Sequence, residues 1–108
     1  MTLGAADTAF ARELFSDLPD LSARKMFGGM GIYSQGVIFA IMRSDGVLLI
    51  KAQEGPFADR LAAMGCYRWT YVRKDGKASA MPYWTVPQDA LDDPDKAAQL
   101  AREALAAL

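Results

Sequence analysis

The apolar positions along the chain change period several times, and each change marks an element. Between residues 5 and 18, Phe10, Leu14 and Leu18 recur at i, i+4 and i+8 while Arg12, Glu13 and Asp17 turn elsewhere, which predicts an amphipathic helix ending near Pro19. From Ser22 the helical spacing is lost. Gly28, Gly29, Gly31 and Gly36 interrupt the short apolar pieces Met26-Phe27 and Ile32-Tyr33, a pattern that suits two short strands joined by tight bends. Val37 to Arg43 and Val47 to Ala52 are aliphatic, β-branched runs around Ser44-Asp45-Gly46, and Asp-Gly between such runs predicts a central hairpin.

Gly55-Pro56 opens a second helix. Proline costs nothing in a first turn, Phe57, Leu61 and Met64 share a face, and Gly65 is placed to cap the C-terminus. Tyr67 to Lys74 and Lys77 to Thr85 flank Asp75-Gly76. A two-residue turn there sets Lys74 opposite Lys77, which puts Tyr67, Trp69 and Tyr71 on one face across from Ala80, Pro82 and Trp84, with Arg68, Thr70, Lys74, Lys77 and Ser79 on the other. In that register Pro82, which has no N–H, falls at a non-hydrogen-bonded position facing a sheet edge or a bulge. Asp92-Asp93-Pro94-Asp95 then caps a last helix carrying Ala97, Leu100, Ala101, Ala104, Leu105 and Leu108. The order is helix, strands, helix, hairpin, helix: an α+β architecture with a two-layer antiparallel sheet, helices at both termini and one between strands.

At 108 residues, with 52% hydrophobic and 23% charged positions, residues 1–108 are expected to form one domain with a core of its own. The missing residue types narrow the chemistry. There is no histidine, which removes Ser-His-Asp and Cys-His pairs and imidazole metal sites. The single cysteine, Cys66, can form neither an intrachain disulfide nor a redox pair, and a reducing cytoplasm is the expected location. The longest apolar run, Val37 to Met42, is far too short to cross a membrane, and no leader pattern is present. The formal charge of −1 hides an uneven distribution: the stretch from Arg24 to Lys77 carries nine basic and four acidic residues, and the flanks carry three basic and nine acidic.

No catalytic set emerges. Gly28-Gly29-Met30-Gly31 lacks the following helix that a phosphate loop requires, and serves a bend better. Asp92, Asp93 and Asp95 lack the ligand spacing of a calcium loop and suit helix capping, and Cys66 has no histidine to activate it. No metal and no cofactor are therefore expected, and the chain is not expected to be an enzyme. The alternation Tyr67-Arg68-Trp69-Thr70-Tyr71-Val72-Arg73-Lys74 mixes rings and cations, but in a strand the two sets point apart. That favours rings in the core and solvated cations over a stacking platform for nucleic acid.

Several segments together resemble one known family. Arg24-Lys25-Met26-Phe27-Gly28-Gly29-Met30-Gly31-Ile32-Tyr33, Gly36-Val37-Ile38-Phe39-Ala40, Tyr71 to Lys74, Ala80-Met81-Pro82-Tyr83-Trp84 and Ala90-Leu91-Asp92-Asp93-Pro94 resemble the TfoX/Sxy N-terminal domain over nearly the whole chain. The resemblance implies a two-layer α+β domain. Longer members of that family are bacterial regulators of natural competence thought to act with the cyclic-AMP receptor protein, and their second, C-terminal domain has no counterpart within these 108 residues.

What the resemblance implies is a non-enzymatic protein-interaction module, a transcription co-regulator whose partner is a transcription regulator or RNA polymerase. Its candidate interaction residues are Arg24, Lys25, Met26, Phe27, Gly28, Gly29, Tyr83 and Trp84. Two alternatives differ in class: a small-ligand-binding domain with a pocket near the glycine bend, and a weak nucleic-acid binder using the basic central strands. Val37 to Met42 and Val47 to Ile50 are apolar on both faces, whereas a two-layer fold covers one face of its sheet with helices. A homodimer burying the second face is the expected solution.

Overall fold

The computed structural model describes residues 5–26 and 29–107. The glycine bend at Phe27 and Gly28, and Leu108 of the last helical stripe, lie outside the described residues. In chain order the elements are α1 (Ala5–Leu14), β1 (Leu21–Met26), β2 (Gly29–Ser34), β3 (Val37–Met42), β4 (Leu48–Lys51), α2 (Pro56–Ala63), β5 (Arg68–Val72), β6 (Ala78–Thr85), a 3₁₀ turn (Gln88–Ala90) and α3 (Pro94–Ala106). Six strands form one antiparallel sheet in the order β1-β2-β3-β4-β6-β5. The α+β class and the placement of the helices agree with the sequence pattern.

All three helices contribute to a single apolar cluster on one face of the sheet. From α1 and the turn after it come Ala11, Leu14, Phe15 and Leu18. Phe10, expected on the buried stripe, is 42% exposed, because the inward spacing runs from Ala11 through Leu14 and Phe15. Phe15 meets Phe39 edge to face with ring centroids 5.0 Å apart, a geometry that aromatic quadrupoles favour. α2 contributes Phe57, Ala58 and Leu61, while Met64, at its C-cap, stays exposed. Gly65 takes the left-handed conformation expected of a cap (φ 85°), and its N–H donates to Ala62 O. In α3 the Asp93 carboxylate accepts from the N–H groups of Asp95 and Lys96, and the buried Ala97, Ala101 and Ala104 let the helix approach β3 and β4 closely.

Strand irregularities decide which side chains share a face. The β2–β3 pairing slips between Ile32 and Tyr33, so Ile32 opposes Ala40, Tyr33 opposes Ile38, and Phe39 is the extra residue. The bulge sends two successive residues, Phe39 and Ala40, into the helix-side cluster.

The β3–β4 and β5–β6 hairpins use the same loop. Arg43 N–H donates to Val47 O, Gly46 N–H donates to Arg43 O with Gly46 at φ 86°, and the Asp45 carboxylate accepts from Val47 N–H. Arg73, Asp75, Gly76 (φ 84°) and Lys77 repeat every contact. The β5–β6 loop therefore has three residues, Lys74-Asp75-Gly76, and Lys77 opposes Arg73 instead of Lys74: the αL glycine adds a residue that a two-residue turn lacks.

This loop corrects the register drawn from sequence. Tyr71 opposes Ser79 and Thr70 opposes Ala80, and a second slip around Trp69 leaves Arg68 opposite Trp84. Pro82 lies in that slip, where its missing N–H breaks no ladder bond, and its carbonyl accepts from Ala52 N–H. Trp69 and Trp84 consequently lie on opposite faces: Trp84 packs against the helix-side cluster and Trp69 against the other.

Candidate functional site

The face without helices carries its own small apolar cluster. Ile41, Leu49 and Tyr83 form its buried floor, and Ile38, Val47, Trp69 and Met81 pack around them half-buried. Ile38 and Ile41 come from β3, three apart because of the bulge, Leu49 from β4 with Val47 just before that strand, and Met81 and Tyr83 from alternate positions of β6, with Trp69 reaching in from the edge strand β5. A cavity of about 870 Å³ opens on this side. Its walls are Gly29 and Met30 of β2, the end of β3 with its turn from Ile41 to Asp45, Trp69, Met81 and Tyr83. Gly29 is required there, because a Cβ on it would collide with the carbonyl oxygen of Met42.

Two cations flank the floor on this face. Arg24 opposes Gly31, which opposes Ile41, and Lys51 opposes Tyr83, so both cations share the face of the apolar floor. The Arg24 guanidinium lies 5.7 Å from the centroid of the Tyr33 ring, within cation–π range. Among the described residues neither Arg24 nor Lys51 has an ion-pair partner. At the cavity rim Arg43 and Asp45 neutralise each other through hydrogen bonds of 3.1 and 2.6 Å, and the Arg43 guanidinium holds the Asp45 carboxyl below its ordinary range. Burial pushes the Tyr83 phenol up, with Tyr33 nearby adding to the effect.

The sequence-derived interaction residues divide between the faces. Arg24, Gly29 and Tyr83 lie on the open face, Gly29 and Tyr83 lining the cavity and Arg24 on the edge strand β1 with three strands between it and Tyr83. Lys25 opposes Met30 and lies on the helix side of the exposed edge strand. Met26 pairs through its backbone with Gly29, and Phe27 and Gly28 fall outside the described residues. Trp84 is turned into the helix-side cluster, where its buried indole Nε1 has no hydrogen-bond partner among the described residues. Tyr67, expected in the core, is 77% exposed. Sequence reasoning did not single out Trp69, Met81, Ile41, Arg43 or Lys51. The signal that pointed to them was the two-sided apolarity of β3 and β4; the shifted β5–β6 register obscured Trp69 and Met81.

Cys66 lies elsewhere, half-buried against the helix-side cluster, and burial raises its thiol pKa although Thr85 hydrogen-bonds to it. Among the described residues no group of three or more His, Cys, Asp or Glu is placed to hold a metal ion. Asp93 is occupied as a helix cap, and Asp89 pairs with Lys96 at 3.2 Å. No helix among the described residues is long and apolar enough to cross a membrane.

Comparison with known families agrees with the motif resemblance: the model of the TfoX N-terminal domain matches residues 13–108. No curated protein matches the chain.

Proposed function

The chain belongs to the TfoX N-terminal domain family, and from that membership and the open sheet face we propose that it is a non-enzymatic protein-interaction module, a co-regulator of transcription. One observation carries the proposal: an apolar floor flanked by two unpaired cations on the face that no helix covers. Apolar anchors with a charged rim are the anatomy of a recognition surface, and the sign of the rim selects an acidic partner. Two copies stacked face to face would bring Arg24 and Lys51 against their own kind, so the partner is taken to be a different protein, a transcription regulator or RNA polymerase. The chemistry for catalysis is thin: histidine is absent, and the one thiol is pushed away from its reactive thiolate form.

The test is binding of the immobilised domain to purified RNA polymerase and to a purified receptor-type regulator. Binding to either is expected to fall by more than about tenfold in Arg24→Glu with Lys51→Glu and to persist in Lys25→Glu, which changes a cation on the other side of the same edge strand. Equal loss in both variants, or in neither, would overturn the assignment of the face. Light scattering on the same samples reads self-association: a dimer that the Arg24/Lys51 variant dissociates would place a second copy on this face instead.

A further inference from the structure

The cavity of about 870 Å³ on the open face has the dimensions of a small-molecule site, within the range of about 300 to 1,000 Å³ usual for ligand pockets. It is more than one anchoring side chain of a protein partner fills. Its wall is deformable where Met81 lines it and flat where Trp69 and Tyr83 do, while Met30 and Met42, whose side chains belong to the helix-side cluster, border it at the strand ends. The charged groups lining it, Arg43 and Asp45, are spent on each other, leaving no free charge to meet an ion. Ser44 and the Arg43–Asp45 pair still offer hydrogen-bonding atoms at the rim.

We propose that this cavity binds an uncharged, ring-bearing apolar small molecule, seated against Trp69 and Met81 with its polar edge at the Arg43-Ser44-Asp45 turn. Arg24 and Lys51 share this face but are not among the residues that line the cavity, so a charged ligand seated within it would have no counter-ion in contact and would lose its hydration uncompensated. The inference goes beyond the partner proposal and does not depend on it.

The probe is N-phenyl-1-naphthylamine, which is uncharged and brightens in apolar surroundings, compared with its sulfonated analogue 8-anilinonaphthalene-1-sulfonate. Saturable binding of the neutral probe at one per chain, with energy transfer from tryptophan, is the expected result, and the sulfonate should bind more weakly. Met81→Lys, which adds an unpaired cation to the wall, should weaken the neutral probe by about tenfold or more and reverse the preference between the two probes. Ser44→Trp fills the cavity from its exposed rim without entering the helix-side cluster, and should abolish neutral-probe binding while the melting temperature holds. It serves as the test if Met81→Lys fails to fold. Val72→Lys, on an exposed site outside the cavity, should change nothing. Non-saturable binding, or binding that survives Ser44→Trp, would overturn the proposal. Loss of partner capture with probe binding retained would remove the partner reading alone.

Discussion

The two faces of this one sheet are built from the same kinds of residue and have opposite fates. On β4, Leu48 and Ile50 point into the cluster sealed by α1, α2 and α3, while Leu49 between them points to the face that no helix covers. On the helix side Phe39, Ala40 and Ile50 are completely buried; on the other, Ile38, Val47, Trp69 and Met81 remain only half-buried around a three-residue floor. The charges separate too: the acidic termini fall in and around α1 and α3, and the open face carries Arg24 and Lys51. Strand alternation assigns a side chain to a face, but the cover on that face is decided by where the helices dock. One face holds the fold together and the other stays half-exposed.

The largest expected effect separates the faces by truncation. Phe39→Ala removes a fully buried ring in contact with Phe15 and should cost about 3 to 5 kcal/mol, lowering Tm by more than about 10 °C in a domain of this size. Met81→Ala, half-buried on the open face, should cost less than about 1 kcal/mol. Thermal unfolding of the two variants side by side is the measurement. Similar losses would mean that the open face is a second core, and the contrast would collapse.

Next comes the point where the two faces are pinned together. Gly29 begins β2 against the end of β3, and an added Cβ would strike backbone, which cannot rotate away as a side chain can. Gly29→Ala should therefore cost about 1 to 3 kcal/mol and distort the cavity wall that this residue forms. Thermal unfolding together with probe binding checks both parts, and a variant as stable as the parent would show that the strands are free to separate there.

Most of the fold was legible in the sequence because its signals are local. Pro56 and Gly65 bound α2, Asp93 and Pro94 start α3, and Asp45-Gly46 turns the central hairpin through contacts between near neighbours. The β5–β6 register was not, because Asp-Gly serves both two- and three-residue loops and the second slip, at Trp69 and Pro82, depends on how β6 meets β4. That error reached the candidate site: it placed Trp69 with Trp84, which the structure separates, and hid Met81 beside Trp69. Arg24 and Tyr83 were reached through the family motif, but Lys51 comes opposite Tyr83 only because β4 and β6 are neighbours despite lying far apart in sequence.

A smaller effect probes the helix layer alone. Asp93→Ala removes the acceptor for the N–H groups of Asp95 and Lys96 and should cost about 1 kcal/mol, with Asp93→Asn retaining most of the cap. Chemical denaturation gives the value, and probe or partner binding on the open face should not move. A change in binding at constant cavity shape would show that the two layers are coupled.

The smallest effect concerns the floor of the open face at high pH. Burial raises the Tyr83 phenol above its ordinary value near 10, so the folded state holds that proton more tightly than the unfolded chain does. Its contribution to stability is then fully present below about pH 10 and is lost as pH rises through the higher folded value. Tyr83→Phe should leave neutral-pH stability nearly unchanged and flatten the alkaline decline of Tm, with tyrosinate absorbance in the parent showing one phenol that ionises late. The helix side supplies a control of the same sign. Lys96, held by Asp89, also has a raised pKa and also loses its contribution on the alkaline side, so Lys96→Gln removes a separate part of the slope. A molecule seated in the cavity buries Tyr83 further and should delay its ionisation while leaving the Lys96 part unmoved. An alkaline curve identical in the parent and in Tyr83→Phe would mean that the floor is already open to water, and the open face would then be a solvated surface rather than a site.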